Sequence, residues 1–96
     1  MRKVRLSPKA LEDLEEIFDY TVRKWTYTQA EIYHATLFDA LNSIRENPDL
    51  GRNYPFHGRE YKRFKVNRHL IFYSYSSDFC DIIRILHERM DLNRYL

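Results

Sequence analysis

The sequence predicts an α+β domain in which a small sheet packs on an α-helical hairpin. After a short apolar run at the N-terminus come two stretches whose apolar residues are spaced three or four apart, as in amphipathic helices. Between residues 61 and 87 follow three runs rich in aromatic and β-branched residues, separated by two polar turns. The predicted order is strand, helix, helix and a three-stranded antiparallel meander, forming one domain over residues 1–96.

The first strand and helix are set by local signals. Residues 3–6 alternate in polarity, with Val4 and Leu6 on one side. Ser7 can cap a helix and Pro8 suits its first position, so a helix is expected from Pro8 to about Trp25. Its apolar face comprises Leu11, Leu14, Ile17, Phe18, Val22 and Trp25.

The second helix should begin at a capping box, in which Thr28 is followed three residues later by Glu31. Pro48 stops it after Asn47. The apolar face of this helix comprises Ala30, Tyr33, Leu37, Ala40, Leu41 and Ile44. The segment 49–58, which contains both glycines, is predicted to be a loop that crosses from the hairpin to the meander.

The meander is expected to carry an apolar and a basic face. In its first strand Phe64 and Val66 alternate with polar residues, whereas residues 70–75 and 82–86 are almost wholly apolar, as in covered strands. Packing of Leu14, Ile17, Leu37 and Leu41 on Phe64, Val66, Ile71, Ile83 and Ile85 is predicted. The turns fall at residues 67–68 and 76–78.

Charge is distributed unevenly along the chain. Residues 1–51 have seven basic and nine acidic side chains, whereas residues 52–96 have nine basic and five acidic ones. Five of the basic residues lie between Arg59 and Arg68, with Glu60 as the one acid among them. Such a patch suits an acidic protein segment or a nucleic acid. It equally suits a solvated strand whose charges protect a sheet edge.

Several classes of protein are disfavoured by composition. The single cysteine, Cys80, rules out an internal disulfide and is typical of a reducing, cytoplasmic location. The four histidines show no ligand spacing, so no metal and no cofactor is expected. No apolar run is long enough to span a membrane, and no membrane partner is expected.

The C-terminal half resembles a known family. The runs Phe64-Lys-Val-Asn-Arg-His-Leu-Ile-Phe-Tyr73 and Ile83-Arg-Ile-Leu-His-Glu-Arg-Met-Asp91 resemble the RelE/ParE toxin superfamily, and the ending from Arg84 resembles its ParE branch. The order of elements and the chain length agree. The resemblance implies a toxin of a bacterial type II toxin–antitoxin system that inhibits DNA gyrase by direct binding, without catalysis of its own.

The resemblance also implies a cognate, ParD-like antitoxin that neutralises the toxin through its C-terminal segment, in a hetero-oligomer. The residues expected to contact partners are Lys62, Arg63, Lys65, Arg68, Arg84, His87, Arg89 and Tyr95. The alternative is a RelE-type, ribosome-dependent mRNA endonuclease, for which the cations would hold the phosphate and His87 or Tyr95 would move protons. A third possibility is a degenerate member that only scaffolds its antitoxin on operator DNA.

The tail, residues 87–96, has two interpretations. It follows the last predicted strand and mixes basic residues such as Arg89 with apolar ones such as Met90. A terminal segment can be exposed and still held at its root, which favours an effector role. Alternatively, Leu92, Tyr95 and Leu96 close one end of the core.

Overall fold

A five-stranded mixed sheet lies against two long helices in the computed structural model, which describes residues 1–96. The elements are β1 (Lys3–Leu6), α1 (Pro8–Lys24), α2 (Tyr27–Glu46), a 3-10 turn (Pro48–Leu50), β2 (Arg52–Phe56), β3 (Arg59–Val66), β4 (His69–Tyr75), β5 (Phe79–His87) and α3 (Leu92–Tyr95). The strand order is β1-β5-β4-β3-β2, with β1 parallel to β5 and the other pairs antiparallel. This confirms the α+β prediction of a helical hairpin and a meander.

The prediction of a loop over residues 49–58 is wrong. Arg52–Phe56 forms β2, which pairs with β3 and makes the edge of the sheet. An edge strand tolerates Pro55 because one side of its backbone needs no partner. His57 and Gly58 turn the chain with positive φ angles of 50° and 75°, the backbone that a two-residue hairpin turn requires.

Side-chain caps set the starts of both long helices. Ser7 Oγ accepts a hydrogen bond from Ala10 N at 3.0 Å, as the sequence predicts. The second helix, however, begins two residues before the predicted capping box. Thr26 is its cap, with Oγ1 accepting from Gln29 N at 2.9 Å, because Thr26 and Gln29 offer the same spacing as Thr28 and Glu31.

The main core lies between the hairpin and one face of the sheet, which we call the hairpin face. Its twelve buried residues are Ala10, Leu14, Leu37, Ala40, Leu41, Ile44, Val66, Ile71, Tyr73, Cys80, Ile82 and Ile85. Ile17 and Phe64 pack against it at partial burial. Of the predicted core residues, Ile83 alone lies outside this cluster; its carbonyl accepts a hydrogen bond from Ser7 Oγ at 2.6 Å.

The other face of the sheet, which we call the tail face, is only thinly covered. Leu70, Phe72 and Leu86 are buried there, with Tyr54, Leu92 and Leu96 packed against them. The tail therefore helps to close this small apolar cluster, as the second interpretation of residues 87–96 predicts. The tail remains exposed at Met90 and Tyr95.

Tyr73 anchors the 3-10 turn that leads into β2. Its hydroxyl donates to Pro48 O at 2.6 Å and accepts from Gly51 N at 3.0 Å. A Cβ at position 51 would lie 2.9 Å from Arg63 O and would also overlap the Tyr73 ring, so only glycine fits there. None of the helices combines the length and the apolar character that a membrane span needs.

Candidate functional site

A cleft of about 1280 Å³ opens between the hairpin and the end of the sheet that holds the β3–β4 turn. One wall is the C-terminal half of α1 with the start of α2, and the other is the β3–β4 turn with the end of β5 and the first residues of the tail. Most residues that line the cleft are polar, aromatic or charged, among them Glu16, Asp19, Tyr20, Arg23, Lys24, Trp25, Tyr33, Asn67, Arg68, His69, His87 and Arg89.

Tyr33 and His69 form a hydrogen-bonded pair in the wall of the cleft. Tyr33 Oη lies 2.6 Å from His69 Nδ1 and donates to Val66 O at 3.1 Å. Burial lowers the pKa of His69 to about 4, and the nearby His87 ring acts in the same direction. His69 is therefore neutral at physiological pH.

His87 stands beside this pair, with its ring centroid 5.4 Å from that of His69. Its Nδ1 accepts a hydrogen bond from Arg89 N at 3.1 Å. In the neutral imidazole the proton is then on Nε2, so that His87 can donate a hydrogen bond to a ligand.

Four exposed cations line the cleft without a partner. Arg23 and Lys24 close the last turn of α1, where the helix dipole favours positive charge. Arg68 lies in the β3–β4 turn and Arg89 follows β5. None of their side chains forms a hydrogen bond or an ion pair within the protein, although Lys24 Nζ lies 5.7 Å from the centroid of the Tyr20 ring.

The acidic side chains of the cleft belong to α1. Asp13 is buried and fully engaged: its carboxylate accepts from Arg84 Nε and Nη2, both at 2.8 Å, and from Ile85 N at 2.9 Å. The pairing of β1 with β5 ends at Ile82, so Asp13 takes the place of a strand partner for the backbone N–H of Ile85. Glu16 and Asp19 are exposed, so two carboxylates remain free beside the four cations.

The structure brings three of the predicted contact residues together, since Arg68, His87 and Arg89 all line the cleft. Arg84 is elsewhere, with its guanidinium held by Asp13 and its Nη1 donating to Tyr95 O at 2.7 Å. The Tyr95 ring is exposed on α3.

The strand register separates the other three predicted residues. Lys62 is opposite Tyr73 and so points to the hairpin face, where its Nζ donates to Asn53 Oδ1 at 2.8 Å. Arg63 and Lys65 are on the tail face. Arg63 lies over the Tyr54 ring, and Lys65 forms an ion pair of 3.1 Å with Glu88. That ion pair also lowers the pKa of Glu88.

Sequence reasoning missed the aromatic and hairpin residues of the cleft. Their spacing predicts that Tyr33 and Trp25 lie on apolar helix faces, whereas Trp25 is 66% exposed. The paired basic residues at the end of α1 were visible, but they are equally typical of an ordinary helix end. No local pattern indicates that they face Arg68, more than forty residues away.

A second, smaller groove lies on the outer surface of the hairpin. Phe18 packs edge-on against Tyr27 and His34, with ring centroids 5.6 and 5.8 Å apart. The His34 and Phe38 rings are 4.8 Å apart. Together with Glu31 and Ala35 they line an open groove of about 400 Å³. An apolar surface of this kind on a small domain is typical of a partner-binding site.

Comparison with known proteins decides the family. A family model described as "ParE toxin of type II toxin-antitoxin system, parDE" matches residues 4–92. The chain belongs to the ParE toxin family. Toxin ParE1 of Mycobacterium tuberculosis (strain H37Rv) is 37% identical over 92 residues, which cover 95% of this chain and 94% of that protein. Toxin ParE1 of Caulobacter vibrioides is 31% identical over 96 residues, covering 100% and 99%.

The ParE-family fold is also seen in a solved structure described as "Chromosomal ParDE TA system from P. aeruginosa". That chain superimposes with a TM-score of 0.77 at 16% identity, over 91% of this chain and 96% of the other. The resemblance of residues 64–91 to the ParE branch is therefore confirmed.

Proposed function

We propose that this ParE-family toxin inhibits DNA gyrase by direct binding and performs no covalent chemistry of its own. The observation that carries the proposal is the family match over residues 4–92. Two features of the chain itself agree with it. The Cys80 thiol is buried, and its pKa is raised by burial to about 11, so it is no nucleophile at neutral pH. The basic side chains expected to contact partners are also spread over three surfaces rather than one.

The surface we assign to the target is the cleft. Its four free cations and the exposed Trp25 take no part in the core, so their side chains are available to a partner. Exposed, desolvatable Trp and Arg side chains are the residue types that dominate binding energy at interfaces. Because these residues are exposed, their substitution should change stability by no more than about 0.5 kcal/mol.

The surface we assign to the antitoxin is the aromatic groove formed by Phe18, Tyr27, His34 and Phe38. The amphipathic C-terminal segment of the antitoxin could place its apolar side chains in this groove and become ordered as it binds. Acidic residues of the same segment would find complementary charge on residues 52–96, with Arg63 and Lys65 exposed enough to contribute. Toxin and antitoxin would then form a hetero-oligomer.

The test uses purified protein, gyrase and plasmid DNA. The protein should block supercoiling or cause cleaved plasmid to accumulate, and its cognate antitoxin should abolish that effect. Cleavage of mRNA on translating ribosomes, with gyrase unaffected, would instead establish the RelE-type endonuclease. If the protein acts neither on gyrase nor on mRNA but still binds its antitoxin, it is the degenerate member that only scaffolds the antitoxin on operator DNA.

The antitoxin surface is tested separately by Phe38→Ala and by the double variant Arg63→Glu/Lys65→Glu. Both should weaken antitoxin binding in calorimetry at low salt, at a temperature where each variant is still folded by its melting curve. Loss of affinity in the double variant alone would place the antitoxin on the tail face of the sheet rather than on the groove.

A further inference from the structure

The cleft combines features that a protein target alone does not require. Cations flank it on two sides: Arg23 and Lys24 on the hairpin, and Arg68 and Arg89 on the sheet side. Its volume of about 1280 Å³ exceeds the roughly 300–1,000 Å³ of small-molecule pockets. It is therefore large enough to hold a stretch of polymer rather than a metabolite.

Exposed aromatic rings are interleaved with these cations. Trp25 is 66% exposed and Tyr20 is 52% exposed, and both line the cleft. An exposed indole at the end of a helix contributes little to folding, yet it offers a flat face on which a nucleobase can stack. A basic groove with stacking rings is the arrangement by which proteins hold single-stranded nucleic acid.

The polar groups of the cleft suit both the phosphates and the bases of a nucleic acid. The Nε2–H of His87 and the two arginines of the sheet side are donors suited to a phosphate oxygen. The free carboxylates of Glu16 and Asp19, on α1, would repel phosphates and acidic side chains alike, so the phosphates are assigned to the opposite wall. Towards a base the two carboxylates are instead acceptors for an exocyclic amino group.

We infer that the cleft binds single-stranded nucleic acid, with phosphates at Arg68, Arg89 and His87 and a base stacked on Trp25. This deepens the proposed function by naming what the cleft holds when the toxin acts, such as a strand exposed at the gyrase–DNA complex. The inference is tested without gyrase, so that nucleic-acid binding and gyrase inhibition can each be disproved separately.

The first measurement is the fluorescence of Trp25, the one tryptophan of the chain, during titration with an oligodeoxythymidine of about twelve nucleotides. Stacking should quench the emission. The same oligonucleotide carrying a fluorescein label should show rising anisotropy, and Trp25→Ala should weaken its binding roughly tenfold. Binding without quenching, or unchanged affinity in Trp25→Ala, would overturn the inference.

The second measurement compares two charge-matched double variants. Arg68→Gln/Arg89→Gln should weaken oligonucleotide binding and lower the slope of log affinity against log salt by about 1.4, since each neutralised phosphate contributes about 0.7. The control Arg52→Gln/Arg59→Gln removes two exposed cations outside the cleft and should leave that slope nearly unchanged. Equal losses in both variants would mean that binding follows net charge and not the cleft.

Competition completes the test. An unlabelled oligonucleotide should displace the probe, while a duplex of the same sequence and an acidic peptide of equal charge should compete at least tenfold less well. If the acidic peptide binds the cleft with the same dependence on Arg68 and Arg89 and the oligonucleotide does not, the cleft is a peptide site and the inference is wrong.

Discussion

The two faces of the sheet differ in how they are covered. On the hairpin face twelve buried residues pack into one continuous cluster beneath α1 and α2. On the tail face only three residues are buried, and they are covered by Tyr54 and by Leu92 and Leu96 of the tail. The hairpin face therefore carries most of the hydrophobic stabilisation, while the free cations lie in the cleft where the hairpin meets the end of the sheet.

Two arginine–aspartate pairs make the same contrast on a smaller scale. Arg84 and Asp13 are bidentate at 2.8 Å, and their side chains are only 13% and 7% exposed. Arg5 and Asp81 are also bidentate, at 2.6 and 3.1 Å, but are 55% and 33% exposed. The buried pair also joins the hairpin, β5 and the tail, so its role is to connect the two faces.

The largest effect is expected at this buried pair. Arg84→Ala leaves Asp13 charged and unpaired in the interior, which should lower the free energy of unfolding by about 3–5 kcal/mol. Arg5→Ala is the matched control and should cost at most about 1 kcal/mol. Chemical denaturation of both variants measures the difference. Similar costs would mean that burial does not distinguish the two pairs.

The second prediction compares one leucine from each face. Leu41 is buried beneath the hairpin, so Leu41→Ala should cost about 2–5 kcal/mol. Leu92 is only partly buried on the tail face, and Leu92→Ala should cost about 1 kcal/mol. If Leu92→Ala lowers the melting temperature more than Leu41→Ala does, the tail is an essential part of the core. The assignment of most of the stability to the hairpin face would then be wrong.

A third contrast concerns two tyrosine hydroxyls on β4. Tyr73→Phe leaves Gly51 N and Pro48 O without their buried partner, at a cost of about 1–3 kcal/mol. Tyr75→Phe removes an exposed bond of 2.9 Å to Asp49 and should change stability by less than about 0.5 kcal/mol. Equal urea midpoints for the two variants would show that Tyr73 does not anchor the turn before β2.

The smallest effect is a pH dependence from the cleft. His69 has its pKa lowered to about 4, against 6.5 when unfolded, so between these values only the unfolded chain takes up the proton. Stability should therefore fall as pH falls from 6.5 to about 4, by on the order of 1 kcal/mol given the partial exposure of the ring.

The control for this pH dependence is a second histidine. His69→Gln should flatten the fall in melting temperature, whereas His57→Asn, in an exposed turn with positive φ, should leave it unchanged. An identical pH profile in wild type and His69→Gln would remove His69 as its source.

The sequence predicted those elements whose signals lie within a few neighbouring residues. The helices and the meander follow from apolar periodicity and from caps such as Ser7, which act within a few residues. The strand β2 was missed because its glycine and proline are typical of a loop, and only pairing with β3 makes it a strand. The Asp13–Arg84 pair and the cleft join residues far apart in sequence, which no local pattern could indicate.

The most direct test of the account is gyrase inhibition by the two double arginine variants. If the exposed cleft is the effector surface, Arg68→Gln/Arg89→Gln should lose most of its inhibition of supercoiling while keeping the wild-type melting temperature. The control Arg52→Gln/Arg59→Gln should inhibit like wild type. Full inhibition by the cleft variant, or loss of inhibition in the control instead, would contradict the account.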